Sequence, residues 1–368
     1  NKKPKTTTPV RRGLVVAGID LAADVHVDPT SGFTGIAARL HDSKGTLVSL
    51  DGKANLPFER LLRVAQEHPN DLIAECMDTQ VSMKVVVPER ALDAFPSILG
   101  FGALRGKTAA TIDVQGTPNV PRVALAVTGR GMRDAETNAR FAADVDAEMT
   151  YDGKVVALDL DARSGPKGSA KAQVRMLANA ADLLSAKDPL AAPWAANARV
   201  DLAAFPLQFV PLPSGQKVRG TISGSASLDR LHDDASLLAK FVMSDVRISR
   251  SAFTRITTEA EAKGGDMRAS VHVEQKDGTA SLVAKGGLDW GANLAPAVST
   301  NRALEAELVA KNLNAGALLP FVGGALSDLD GRIDADARVS AGADGKNVKM
   351  QGGIDFREGV LGIPSVGQ

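Results

Sequence analysis

The chain has 368 residues, and its 43 Lys and Arg side chains balance its 43 Asp and Glu side chains, giving a formal net charge of zero. A neutral chain has no global field with which to hold a phosphate backbone, which argues against nucleic acid as a partner. Only 4% of the residues are aromatic, and the small aliphatic residues that dominate the apolar content suit a shallow apolar wall.

The first part of the chain, residues 1–80, is predicted to be the start of a β array that contains one helix. Residues 1–12 carry two prolines and several basic residues, a composition typical of a poorly ordered terminus. Pro57, with apolar residues at Phe58, Leu61, Leu62 and Ala65, predicts a short helix that ends near His68. The sequence starts at Asn1 and has no apolar run of about 20 residues, so we interpret it as a piece of a longer protein.

Cys76 is the only cysteine, which excludes an internal disulfide and any cysteine-built metal site within this chain. The sequence alone leaves its role open. We interpret it as a small, half-buried packing residue.

From Val81 onward the dominant pattern is strict alternation of apolar and polar residues, which predicts antiparallel strands with one apolar face. Asp-Gly pairs at 152–153, 277–278 and 344–345 predict hairpin turns between such strands. Polar neighbours such as Asp159, Asp161 and Asp334 are expected on the opposite face. The apolar members of these runs are Val123, Leu125, Val127, Val156, Leu158, Leu160, Ile222, Leu228, Val271, Val273, Leu304, Leu308, Ile333 and Val339.

A second short helix is predicted from Leu177 to Lys187, where Ala180, Ala181 and Leu184 have helical spacing and Pro189 follows.

The alternating strands and hairpin turns together predict an all-β fold class: an elongated, curved antiparallel sheet of repeated hairpins with a few short helices.

A unit of about 110 residues recurs along the chain. An apolar residue and a proline, at Pro96, Pro206 and Pro320, precede a loop and then a glycine that opens an alternating strand, at Gly106, Gly220 and Gly331. Such a period is typical of an array in which each unit packs mainly on its neighbours. We divide the chain at 1–80, 81–195, 196–303 and 304–368, the last being a partial unit of one continuous array. The proline segments are expected to plug the end of the sheet.

Motifs for catalysis or cofactor binding are weak throughout the sequence. The glycines from Gly100 to Gly106 have the spacing GxGxxxG and precede a strand, so they do not fit a dinucleotide fingerprint. Asp328, Asp330 and Gly331 lack the further ligands of a calcium loop. The five histidines have no metal-ligand spacing, and no GxSxG elbow is present. We therefore predict no catalytic residue, no metal and no cofactor, and we do not expect an enzyme.

Three segments carry a resemblance to a known family: LSDLDGRIDADARVSA at 326–341, GTPNVPRVALAVTGRGM at 116–132 and FREGVLGIP at 356–364. They resemble the C-terminal β-rich region of the TamB family, within the AsmA-like, bridge-like lipid transfer proteins. The resemblance covers about Val81 to the end. The segments at 104–107 and 218–221 depart from it because they lack the family's Gly-Arg order.

The resemblance implies a periplasmic β-taco, or U-shaped gutter, in a diderm bacterium. It implies an inner-membrane anchor that precedes this region, phospholipid transport toward the outer membrane, and an outer-membrane barrel partner of the TamA type. The family has no catalytic residues.

The residues themselves suggest a mechanism, since the predicted helices are too few to cover the apolar face of about twenty strands. Acyl chains could occupy that face as a continuous groove. A closed β-sandwich core is the structural alternative. A scaffold that binds outer-membrane strands by β-augmentation is a second functional hypothesis. An adhesin-like solenoid is less favoured because such repeats are shorter and more regular.

Overall fold

The computed structural model describes residues 18–28, 30–68, 76–96, 100–134, 142–179, 182, 194–210, 218–232, 234–248, 251–290, 296–299, 301–318, 328–343 and 347–362. Within these ranges the protein is an open antiparallel sheet of nineteen strands with one α-helix, which confirms the predicted all-β class. Each long strand pairs with the next one along the chain, from β1 to β19, so the sheet is a meander of hairpins.

The strands are β1 (Ile19–Asp28), β2 (Phe33–Asp42), β3 (Gly45–Asn55), β4 (Val81–Ala91), β5 (Leu104–Thr117), β6 (Val120–Asp134), β7 (Ala143–Tyr151), β8 (Val155–Ser164), β9 (Gly168–Ala178), β10 (Trp194–Pro206), β11 (Val218–Leu231), β12 (Ser236–Ile248), β13 (Ser251–Lys263), β14 (Asp266–Glu274), β15 (Thr279–Trp290), β16 (Pro296–Val298), β17 (Leu304–Asn314), β18 (Asp328–Ala341) and β19 (Lys349–Gly362). The short strand β16 pairs with the end of β15, and β17 continues the sheet beside β15.

The helix α1 (Phe58–Glu67) connects β3 to β4 and confirms the helix predicted after Pro57. None of its residues is buried, so it does not form a second layer on the sheet. The helix predicted at Leu177–Lys187 is wrong at its start, because Leu177 and Ala178 belong to β9 and pair with β10. Most of its remaining residues lie outside the described ranges.

The described turns agree with the sequence patterns. Asp152 to Lys154 connects β7 to β8, and the Asp277-Gly278 pair connects β14 to β15. In the first of these turns the Asp152 carboxylate accepts hydrogen bonds from the backbone N–H groups of Lys154 and Val155. Both hydrogen bonds lower the pKa of the Asp152 carboxyl below its ordinary value, and the bond from Val155 has the larger effect. The third predicted pair, at 344–345, lies outside the described residues.

Because successive strands alternate in direction, the sheet has two long sides. We call the side with the β2–β3, β4–β5, β10–β11 and β17–β18 connections the capped rim, and the opposite side, with the β1–β2, β7–β8 and β18–β19 connections, the hairpin rim. On the capped rim, short 3-10 helices follow β4, β10 and β17, at Leu92–Ala94, Leu207–Phe209 and Ala315–Leu318. Six strands of the main ladder separate each of these helices from the next.

The 3-10 helices change the alignment of the repeats. Leu92 and Leu207, the first residues of their helices, are both buried, with exposed fractions of 2% and 1%. Pro206 precedes its helix, whereas Pro96 follows the corresponding one. The structural equivalence therefore joins Leu92 with Leu207, and the sequence alignment of Pro96 with Pro206 is wrong by several residues. Pro320 lies outside the described residues.

The repeat glycines hold equivalent positions in the fold. Gly106, Gly220 and Gly331 have φ values of 122°, 129° and 121°, and a register shift accompanies each of them in the pairing with the following strand. The opposing strands place Gly131, Asp245 and Glu358 there, also with positive φ. Such β-bulges bend their strands and increase the local twist. The 110-residue period is thus a period of bulges as well as of sequence.

The main core lies beside the capped rim at the middle of the sheet. Its buried members include Phe205, Leu207, Ile222, Val246 and Phe253. A smaller core forms around Ala310, Leu313 and Ala335 in the next repeat. Residues from β8 to β13 converge on one cluster although the sheet has a single layer, because the bulges curl this side of the sheet inward.

Candidate functional site: the apolar face

All fourteen residues predicted to line a groove lie on one face of the sheet. The register joins them directly: Leu125 is opposite Met149, Met149 is opposite Leu158, and Leu158 is opposite Val174. Since cross-strand partners share a face, the same row can be followed from Ala23 on β1 to Met267 on β14. A parallel row reaches from Val87 on β4 to Met350 on β19. We call this surface the apolar face.

The apolar face is shielded but not buried. Of the fourteen predicted residues, Ile222 is buried, with an exposed fraction of 6%, and the other thirteen are half-buried. No second sheet and no helix layer packs on it in the described part of the chain. The interior of a closed β-sandwich would be buried throughout, so the geometry of the described residues disfavours that alternative.

Several members of the apolar face were not singled out from the sequence. They include Val85, Ile112, Val114, Met149, Val174, Val200, Met243, Ile256 and Leu282, which the register places in the same rows as the predicted residues. The signal that could have identified them is the same alternation, which is present in β5 and β9 but shorter or interrupted by Ala.

The large buried residues of the apolar face are concentrated at the capped rim, where Leu47, Leu92, Leu207 and Leu313 are buried. At the hairpin rim the buried residues of this face include the small Ala178 and Ala196 as well as Leu288. The apolar face is therefore packed most strongly along the capped rim.

Amphipathic rings lie along the hairpin rim. Tyr151, Trp194 and Trp290, which are all the Tyr and Trp residues of the chain, each end or begin a strand at the hairpin rim. Trp194 stacks on His232 with ring centroids 4.4 Å apart, and the Tyr151 hydroxyl donates to the Gly153 carbonyl across 2.8 Å. Rings with one apolar and one polar end suit a boundary between an apolar surface and water.

The opposite face carries the charges, as predicted. Asp159, Asp334 and Asp336 alternate with residues of the apolar face along their strands. Ion pairs connect many of these charges, such as Arg130 with Asp146 at 2.6 Å and Arg338 with Glu307 at 3.0 Å. These carboxylate partners, through their hydrogen bonds, raise the pKa of both guanidinium groups. His272 is also exposed on this face, between Val271 and Val273.

The segments that resembled cofactor or metal motifs have structural roles. The run from Gly100 to Gly106 contains a 3-10 helix and then enters β5, and Asp328 to Gly331 begins β18. Within the described ranges, no three His, Cys, Asp or Glu side chains are arranged to hold a metal ion. Cys76 is half-buried, as interpreted from the sequence. The helices of the described part are too short or too polar to cross a bilayer.

Comparisons with known proteins add no relative: no family model, no curated protein and no solved structure matches this chain. A function for the chain therefore has to be inferred from the geometry of the apolar face.

Proposed function

We propose that the apolar face is a groove that shields phospholipid acyl chains and conducts phospholipid between the inner and outer membranes of a diderm bacterium. One observation carries the proposal: the apolar face is continuous along the sheet and has no protein layer over it in the described residues. An open sheet normally covers such a face with helices or a second sheet.

The composition of the face favours acyl chains over other ligands. Its rows consist of Ala, Val, Leu, Ile and Met, and charged side chains lie on the other face. Each methylene removed from water contributes about 0.8 kcal/mol. With neighbouring strands about 4.8 Å apart, eighteen strands in series make a surface roughly 80 Å long. Contacts without directional hydrogen bonds allow a lipid to slide from one repeat to the next.

The absence of a covering layer on the apolar face, within the described residues, supports lateral access. A lipid can enter or leave across the uncovered face without unfolding the sheet, while the packed capped rim stabilises the fold. The periplasmic location, the inner-membrane anchor and a TamA-type partner at the outer membrane follow only from the resemblance to the TamB family and are part of the proposal.

A charge placed on the apolar face should test the proposal. We expect phospholipid to co-purify with the wild-type chain and to be detected by native mass spectrometry and lipid extraction. Leu158→Asp should lose it because a carboxylate would lie in the acyl path. Ala157→Asp is the matched control, since Ala157 is the adjacent residue on the opposite face and lies between Thr150 and Arg175. A folded wild-type chain without lipid, or equal lipid in both variants, would contradict the proposal.

A second candidate function is a scaffold that binds the strands of an outer-membrane protein by β-augmentation. The observation that favours it is the pair of outer strands, β1 and β19, each of which pairs on one side only in the described part of the chain. Both expose apolar side chains: Leu21 is 70% and Met350 is 63% exposed. Client binding that survives Leu158→Asp would favour this function.

A further inference from the structure

The bulges place basic residues directly opposite one another on the polar face. Arg105 is opposite Arg133 in the first repeat, Arg219 is opposite Arg247 in the second, and Arg332 is opposite Arg357 in the third. Like charges in directly opposite positions destabilise a sheet unless something compensates for their repulsion. The three repeats allow the compensation at one structural position to be compared within a single chain.

In the first and third repeats, carboxylates of the chain itself compensate. Arg105 lies 4.0 Å from Asp93, which belongs to the 3-10 helix at the capped rim. Arg357 pairs with Asp334, and Arg332 lies 3.9 Å from Asp277. Both arginines of the third pair, and Arg105 of the first pair, thus have a carboxylate partner within the fold.

The second repeat lacks this compensation. Arg219 and Arg247 are both exposed, and neither forms an ion pair or a side-chain hydrogen bond with any described residue. The residue at the place of Asp93 in the corresponding 3-10 helix is Gln208, which has no charge. Asp245, the nearest acidic residue in sequence to Arg247, lies at the bulge and does not pair with either guanidinium. No carboxylate of the described residues therefore lies within ion-pair distance of either arginine.

We propose that Arg219 and Arg247 form an anion site that binds a phosphate group. Side chains at directly opposite positions of neighbouring strands start about 5 Å apart, so both guanidinium groups are within reach of one phosphate, and planar guanidinium forks match the oxygens of a phosphate. The phosphate could belong to a phospholipid headgroup or be free in solution. The site lies on the polar face, away from Val218 and Val246, whose side chains point into the core, so it does not depend on the proposed lipid groove.

The test uses the whole chain and two phosphate sources. Binding to vesicles of phosphatidylglycerol and phosphatidylcholine is measured by flotation, with vesicles of phosphatidylcholine alone as the neutral reference. Free phosphate is measured by the broadening of its ³¹P NMR line. The test variant is Arg219→Gln with Arg247→Gln. The matched control is Arg332→Gln with Arg357→Gln, which removes the same charge from the neutralised position in the third repeat.

We expect the Arg219/Arg247 variant to bind roughly tenfold or more weakly than wild type, because it lacks two basic side chains that attract an anionic surface. The control variant should bind with an affinity close to that of wild type. Loss in the vesicle assay identifies a headgroup as the source, and loss confined to the ³¹P assay identifies free phosphate. The proposal is overturned if the Arg219/Arg247 variant binds like wild type in both assays, or if the control loses as much. Both variants should keep the β-sheet circular dichroism spectrum, since none of the four side chains is buried.

Discussion

Arg90 and Asp42, 48 residues apart in the sequence, form an ion pair with a nitrogen–oxygen distance of 2.5 Å beside the capped rim. Their side chains are only 8% and 14% exposed, and Arg90 also donates to the Ala94 carbonyl across 3.1 Å. The guanidinium group lies 5.8 Å from the centre of the Phe95 ring. This ion pair connects the β2–β3 turn to the end of β4 and so stabilises the contact between the first strands of the sheet and the first repeat.

The ion pair predicts a pH dependence of stability. The hydrogen bond from Arg90 holds the pKa of the Asp42 carboxyl below its ordinary value. A group with a lowered folded pKa stabilises the protein fully above its unfolded pKa of about 3.9, and this contribution is lost as the pH falls through the folded value. We therefore expect Asp42→Asn to lower the melting temperature at pH 7, and the difference from wild type to shrink as the pH falls below the unfolded pKa and through the folded pKa of Asp42.

Thermal unfolding followed by circular dichroism from pH 7 to pH 2.5 would measure this difference. Asp51→Asn, which removes an exposed carboxylate from β3, is the control. An equal effect of both substitutions at every pH would contradict the role given to the ion pair.

The backbone at the bulge glycines leaves no room for a methyl group, so a substitution by alanine should lower the stability of the fold. A Cβ atom on Gly220 would lie 2.8 Å from the Ser244 carbonyl oxygen, and the φ of 129° is one that other residues rarely adopt. We expect Gly220→Ala to lower the free energy of unfolding by about 2 kcal/mol or more, since positive φ alone costs roughly 1–2 kcal/mol. Gly353→Ala is the control, because a methyl group there would meet no atom within 4 Å and the φ of Gly353 is not positive. Urea denaturation of both variants measures the difference, and equal stability would refute the steric argument.

The burial of Leu207 indicates a position where loss of packing should strongly lower the stability of the sheet. It is 1% exposed and packs in the cluster with Phe205, Val246 and Phe253. Removal of a buried leucine side chain costs about 2–5 kcal/mol, so Leu207→Ala should shift the urea midpoint strongly. Leu62→Ala on α1, where the side chain is 63% exposed, should change it little. Similar shifts in the two variants would mean that the 3-10 helices do not close the capped rim.

A bulky apolar side chain on the apolar face tests the movement of lipid along the sheet without placing a charge in its path. Ala172 is half-buried on the apolar face between Leu160 and Val200. We expect Ala172→Trp to slow transfer of fluorescent phospholipid between donor and acceptor vesicles by about an order of magnitude, because the ring narrows the path without introducing a charge. Gln173→Trp, on the polar face of the same strand, should transfer lipid like wild type. A normal rate in Ala172→Trp would contradict sliding along this row.

The sequence predicted much of the fold because its signals are local. Alternation at Val156, Leu158 and Leu160 defines which side of a strand is apolar, and the Asp152-Gly153 pair defines where the next hairpin begins. The fourteen predicted residues share a face for this reason. The wrong start of the second helix has a non-local cause: Leu177 and Ala178 continue β9, because pairing with β10 outweighs a short run of helical spacing. Whether the apolar face carries lipid stays a prediction.

By itself, the sequence determined most of the strands, their two faces and the described Asp-Gly turns, because each depends on residues that are neighbours in the chain, and it determined the 110-residue period because a period can be counted along the chain. Only the tertiary structure decided that Asp42 meets Arg90, that Leu207 closes one rim, and that Arg219 and Arg247 face each other without a carboxylate partner in the described residues. These relations depend on strand register, which the bulges at Gly106, Gly220 and Gly331 shift in steps that alternation does not encode.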